Sequence, residues 1–178
     1  MKKTRMIFMT SIIALTMVAF TAAAQKGSTR ITRDAERART SFLKADPSIS
    51  HFFSNAYAYA ILPNVGKGAL VVGGGGGNGA VYRQGKHIGT TSMVQATVGA
   101  QVGGQAYREV IFFENKDAFE RFQANKIEFN GEISAVAVKA GVSATTAYHE
   151  GVAIFIEGKE GLMAEVSVGG QKFTYVPM

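Results

Sequence analysis

The sequence predicts an α+β fold: N-terminal helices followed by a curled antiparallel sheet, a β-barrel-like body, with one inserted helix. Apolar residues recur at helical spacing ahead of Tyr57, and the period falls toward two from Gly68 onward. A capped helical pattern then interrupts the strands at Asn115. Helices first and many strands with one helical crossing afterwards is the order of an α+β domain.

Residues 1–24 read as a signal peptide. Lys2, Lys3 and Arg5 form a positive start, Met6 to Phe20 is an apolar run, and Ala22-Ala23-Ala24 offers the small residues that a signal peptidase requires. The run falls short of the roughly 20 residues that cross a bilayer. The expectation is cleavage after Ala24 and a periplasmic or secreted protein. With no cysteine in the chain, neither a lipoprotein anchor nor a disulfide is available. Removal of the three leader cations halves the formal charge of +6, which is too little for a nucleic-acid signature.

An amphipathic segment follows over 25–45. Ile31, Ala35, Ala38 and Phe42 stack on one side, while Arg30, Arg33, Arg37 and Lys44 cluster on roughly the opposite one, with Arg39 beside them. Asp46-Pro47 stops this helix and starts a second, from about Pro47 to Tyr57, since aspartate caps a helix and proline suits its first turn. Pro63 is expected to close the helical segment.

A β-rich domain is expected over 46–178. Its clearest strand alternates Val94, Ala96, Val98, Ala100 and Val102 with Gln95, Thr97, Gly99, Gln101 and Gly103. Val110 to Phe113, Ile133 to Val138, Val152 to Ile156, Leu162 to Val168 and Phe173 to Val176 read as further strands, with bends at Gly103-Gly104, Glu157-Gly158 and Gly169-Gly170. Asn115 caps a helix over Lys116 to Lys126 whose seam is Ala118, Phe119 and Phe122.

Most motifs that invite a catalytic reading fail on context. Gly74, Gly76 and Gly79 satisfy G-x-G-x-x-G, but a helix must follow so that its N-terminus faces a pyrophosphate, and AVYRQGK is strand and turn in character. The glycines read instead as a strand–turn–strand where another backbone or a ligand comes close. His51, His87 and His149 share no metal-ligand spacing, no serine sits in G-x-S-x-G, and no cofactor is called for. The expectation is a non-enzyme.

Two sets of residues carry a binding hypothesis. Arg30, Arg33, Arg37, Arg39 and Lys44 could meet anionic head groups, against the plain alternative of a solvated helix face above a packed stripe. Phe52, Phe53, Tyr57 and Tyr59 could line a groove, although core packing is the simpler role. Phe112, Phe113, Phe119 and Phe122 read as core.

The chain also resembles the SYLF domain family, lipid-binding domains found in yeast actin-patch proteins among others. AYAYAILPNVGKGALVVGGGGGNGAVYRQGK is similar to the family's opening, VGAQVGGQAYREVIFFENKDAFERF to its middle, and EGKEGLMAEVSVGG to its closing strands. The likeness runs over about residues 50–176. It implies N-terminal helices on a barrel-like body, binding to membrane lipids, and a basic N-terminal helix as the contact, which points again to Arg30, Arg33, Arg37, Arg39 and Lys44. It implies actin association in some members, but an exported chain would not meet actin. The expected function is therefore an exported lipid-binding protein on anionic membrane lipids. The rival readings are a structural or protein-interaction module of the periplasm and a small outer-membrane barrel; the helical first third and the doubly apolar strand VIFF argue against the barrel.

Overall fold

The computed structural model describes residues 29–69, 72–98, 105–126, 128–129, 136–137, 148–158 and 170–178. The expected leader, the strand Leu162 to Val168, the bend at Gly103-Gly104 and the end of the 94–102 alternation lie outside them.

Helix α1 spans 29–45. It ends where Asp46 turns extended and its carboxylate accepts the Ser48 N–H at 2.9 Å, starting a short 3-10 turn over Pro47–Ile49. Helix α2, Ser50–Asn55, follows directly and stops at the extended Ala56. The expected second helix is thus a 3-10 turn joined to a short α-helix.

Strands β1 (Ala58–Ala69), β2 (Val72–Arg83), β3 (Lys86–Val98) and β4 (Gln105–Phe113) come next. Helix α3, Lys116–Gln123, is capped by Asn115, whose side chain accepts the Ala118 N–H at 2.9 Å. Short strands β5 (Glu128–Phe129) and β6 (Val136–Ala137) precede β7 (Val152–Gly158) and β8 (Gln171–Pro177). The sheet order is β5-β8-β3-β2-β1-β4-β7-β6, antiparallel except for the β6–β7 pair.

Several local expectations need correction. Pro63 does not close a helical segment: it sits inside β1, where the pairing register shifts between Ile61 and Asn64, so the imide without an N–H falls at a ladder irregularity. The glycine run does not turn. It is continuous β2, and the reversal comes at Gln84-Gly85, both with positive φ (52° and 74°), as a two-residue hairpin requires. A close backbone does explain two of these glycines. A Cβ on Gly77 would lie 2.5 Å from the Asn64 carbonyl oxygen, and one on Gly79 would lie 2.5 Å from that of Ile61, the residues that flank the β1 irregularity. Glu157-Gly158 remain in β7 rather than bending away. Helix α3 stops at Gln123 rather than Lys126, because Asn125 adopts a φ of 55°.

The sheet is curled. Gln171 of β8 and Glu109 of β4 are separated by three intervening strands, about 19 Å in a flat sheet at the usual spacing. Their side chains nevertheless meet at 3.0 Å. Curvature alone closes that gap. Among the described residues the sheet does not close into a barrel: its ends are the two-residue strands β5 and β6, which do not pair with each other.

Each face has its own core. On the outside of the curl, Ala35, Ala38 and Phe42 of α1, with Ile49 and Phe52, pack on Tyr59, Ile61, Tyr82, Val110, Phe112, Ala153 and Phe155. On the inside, Ala118, Phe119 and Phe122 of α3 pack on Ala58, Ala60, Ile111, Phe113, Ile154 and Phe173. Over residues 110–113 strand β4 is apolar on both faces because helices cover both there. Phe112, Phe113, Phe119 and Phe122 are all buried, as expected.

Candidate functional site

Helix α1 lies on the sheet by its apolar stripe and presents its charges outward. The side chains of Arg30, Arg33 and Arg37 are 78%, 60% and 73% exposed, and all three share one carboxylate, Asp34, at 3.9, 3.9 and 3.5 Å. Exposed pairs at such distances hold little, roughly 0–1 kcal/mol each. One acid cannot neutralise three guanidinium groups. Lys44 is exposed at the far end of the helix. The flank therefore keeps a positive excess toward solvent: helix 29–45 carries five cations against Asp34 and Glu36.

Arg39 differs from the other four. Its guanidinium stands 5.0 Å over the Phe53 ring and 3.9 Å from Glu36, and its Nε is buried without an acceptor among the described residues. It is a packing residue as much as a charge. Ser41 fastens the helix by donating to Glu157 at 2.8 Å, and Glu157 in turn pairs with Arg108 at 3.2 Å.

The four aromatic candidates do not share one groove. Phe52, Phe53 and Tyr59 belong to the ring cluster beneath α1 and α2, where Phe53 meets Phe112 edge-on at 4.8 Å and Tyr59 stacks on Tyr82 at 5.2 Å. Tyr57 lies against the opposite core, 6.0 Å from Phe119, with Arg83 over its ring. Burial raises the pKa of Tyr59 and of Tyr82, and nearby Glu36 raises that of Tyr82 further, so both phenols stay neutral.

A second constellation went unnoticed in the sequence. Inside the curl, beyond the α3 core, Gln95 of β3, Tyr107 and Glu109 of β4 and Gln171 of β8 are all buried. Tyr107 donates to the Gln95 oxygen at 3.0 Å; the Gln171 amide donates to Glu109 at 3.0 Å and approaches the Tyr107 hydroxyl at 3.5 Å. Burial pushes the Glu109 carboxyl up to about 7, against a smaller downward pull from the Gln171 N–H, and also raises Tyr107. The alternation holds, but Gln95 turns inward to this cluster, and Val94 is 63% exposed. One signal was available: Glu109 alternates with Tyr107, Ile111 and Phe113, which puts a carboxylate on an apolar face.

Cationic helix, doubly covered curled sheet and inserted helix together make an α+β domain. Residues 94–175 match the family described as "Ysc84: Las17-binding protein actin regulator", which is the SYLF family, so the resemblance read from the sequence is borne out. Among curated proteins the chain is similar to "Beta cell expansion factor A" of Aeromonas veronii, 30% identical over 151 residues. That match takes in 84% of this chain and spans 58% of the relative's length.

Proposed function

We propose that this chain is an exported, non-catalytic protein that associates reversibly with anionic membrane lipids through the outer flank of α1. The observation that carries the reading is the set of Arg30, Arg33 and Arg37, exposed around a single carboxylate above an apolar stripe that is already used for packing. A helix whose apolar side is occupied by its own sheet meets a membrane by charge rather than by insertion. Each cation near an anionic surface contributes about 1 kcal/mol, so three arginines and Lys44 suffice for reversible adhesion. Resemblance to the SYLF family, which includes lipid-binding domains, supports the same reading.

Co-sedimentation with vesicles of phosphatidylglycerol and phosphatidylcholine at rising salt is the test. Retention at low salt, loss at high salt and no retention on phosphatidylcholine alone are expected. Replacing Arg30, Arg33 and Arg37 by Gln should weaken retention on the order of a hundredfold. Failure to bind anionic vesicles at low salt overturns the reading. Export is tested by N-terminal sequencing of the envelope-fraction protein, which should begin at Gln25.

One observation favours a second reading, a protein-interaction module. Val94 on β3 and Val176 on β8 stand 63% and 54% exposed on neighbouring strands. A strictly monomeric protein that captures no partner in cross-linking would count against it.

A further inference from the structure

Glu109 is fully buried, yet no cation faces it among the described residues. Its neighbours Arg108 and Val110 point to the α1 side of the sheet, where Arg108 is held by Glu157. Lys172, next to Gln171, is exposed. The groups that do face Glu109 are Tyr107 on its own strand, Gln171 on β8, and Gln95 of β3 through Tyr107. Tyr107 is the titratable one, and burial followed by the nearby Glu109 raises its pKa, so it remains a neutral phenol.

The bonding leaves two atoms over. Gln171 Nε2 donates to Glu109 Oε2, while Glu109 Oε1 and Gln171 Oε1 are buried without partners among the described residues. Both are acceptors when the carboxyl is ionised, and two acceptors cannot satisfy each other. One proton resolves both: on Oε1 it donates to Gln171 Oε1, and acid and amide then join at two points. We propose that Glu109 is a protonated acid paired in this way with the Gln171 amide, forming a clasp that holds β8 against β4 inside the curl and releases when the acid ionises. Ionisation would remove the O–H donor and leave a buried charge facing an amide oxygen, so the pair would part and admit water. Strand β8 is the arm that yields, since it is flanked by β3 and the two-residue β5, whereas β4 lies between β1 and β7.

The direction with pH follows from burial. Glu109 is held at about 7 in the folded chain, above the ordinary carboxyl value of 4.5. Its contribution to stability is therefore complete below pH 4.5, shrinks as pH rises from there, and is gone above pH 7. Urea unfolding of the full chain should be compared with Glu109→Gln across that window. The unfolding constant of the wild type should rise relative to the variant on the order of a hundredfold, with hydrogen exchange at β8 amides accelerating selectively above neutrality in the wild type alone. Parallel pH curves for the two proteins overturn the proposal. A pH-dependent loss of stability with no selective change in β8 overturns the clasp. Should Glu109→Gln fail to fold, the infrared carbonyl band of a protonated carboxyl in the folded wild type at pH 6 decides: its presence and its loss on unfolding support the pair, and its absence refutes it. None of these readouts involves lipid, so the outcome is independent of the vesicle experiments.

Discussion

Beneath α1 and α2 the sheet is filled by rings: Phe52 meets Phe155 at 4.8 Å and Phe112 at 5.4 Å, and Tyr59 meets Phe112 at 6.0 Å. The opposite face starts in the same way, with Phe113, Phe119 and Phe122 under α3, but continues into Gln95, Tyr107, Glu109 and Gln171. The difference follows from curvature. On the outside of the curl the side chains diverge, and large rings with two covering helices are needed to fill the space. On the inside they converge from β3, β4 and β8, and at that end strands meet strands with no helix between them among the described residues. Buried polar groups are tolerated there because they bond to one another, and an acid among apolar neighbours is tolerated once it is neutral.

The sharpest way to break this comparison is to remove a ring from the outer face. Phe112 is fully buried against Phe52, Phe53 and Phe155. Phe112→Ala should cost about 3–5 kcal/mol in urea unfolding, because the divergent face cannot collapse around the void. A loss below about 1 kcal/mol would mean that α1 and α2 settle inward easily and that the ring layer is not close-packed.

A smaller effect separates glycines that the sequence presents as one run. At Gly79 a Cβ would meet the Ile61 carbonyl oxygen at 2.5 Å, an atom of the backbone that cannot rotate away. Gly79→Ala should destabilise by about 1–3 kcal/mol. At Gly66, across from Gly76 on the paired strand, a Cβ meets nothing within 4 Å. Gly66→Ala should be neutral or stabilise by about 0.5 kcal/mol, through the lost freedom of the unfolded chain. Equal costs at both sites would show that the β1 irregularity is not what excludes a side chain at Gly79. Thermal melts of the two variants side by side are enough.

Much of the outer layer was legible in the sequence, because it is built from local patterns: the spacing of Ala35, Ala38 and Phe42 and the Asp46-Pro47 junction each act within a few residues, as does the Asn115 cap of the inner helix α3. The inner cluster was not. Which face of an alternating strand turns inward depends on what meets it from distant strands, and at Gln95 a polar residue took the inward position because Tyr107 and Gln171 arrive there. Period can be read locally, whereas facing is settled by tertiary partners. Pro63 misled for a related reason: proline ends helices, but it also sits at ladder irregularities, and only the pairing of β1 with β2 and β4 distinguishes the two. The cationic flank was readable as a set, but not the division within it. Arg39 is separated from Arg30, Arg33 and Arg37 by Phe53, a neighbour that the helix spacing does not announce.

That division supports the subtlest prediction, at Asp34. This carboxylate is partly exposed and shared by three arginines, so it contributes little to folding, and Asp34→Asn should move stability by less than about 0.5 kcal/mol. Its effect on the outer surface is larger than its effect on the fold. Removing one negative charge from the centre of the cationic group adds one net positive charge facing solvent, worth about 1 kcal/mol near an anionic bilayer and hence a roughly fivefold gain in vesicle retention at low salt. The gain should shrink as salt shortens the reach of the charges. An unchanged retention, in a variant that melts with the wild type, would show that the arginines around Asp34 are not what the membrane feels, and would move attention to Lys44 at the other end of the helix.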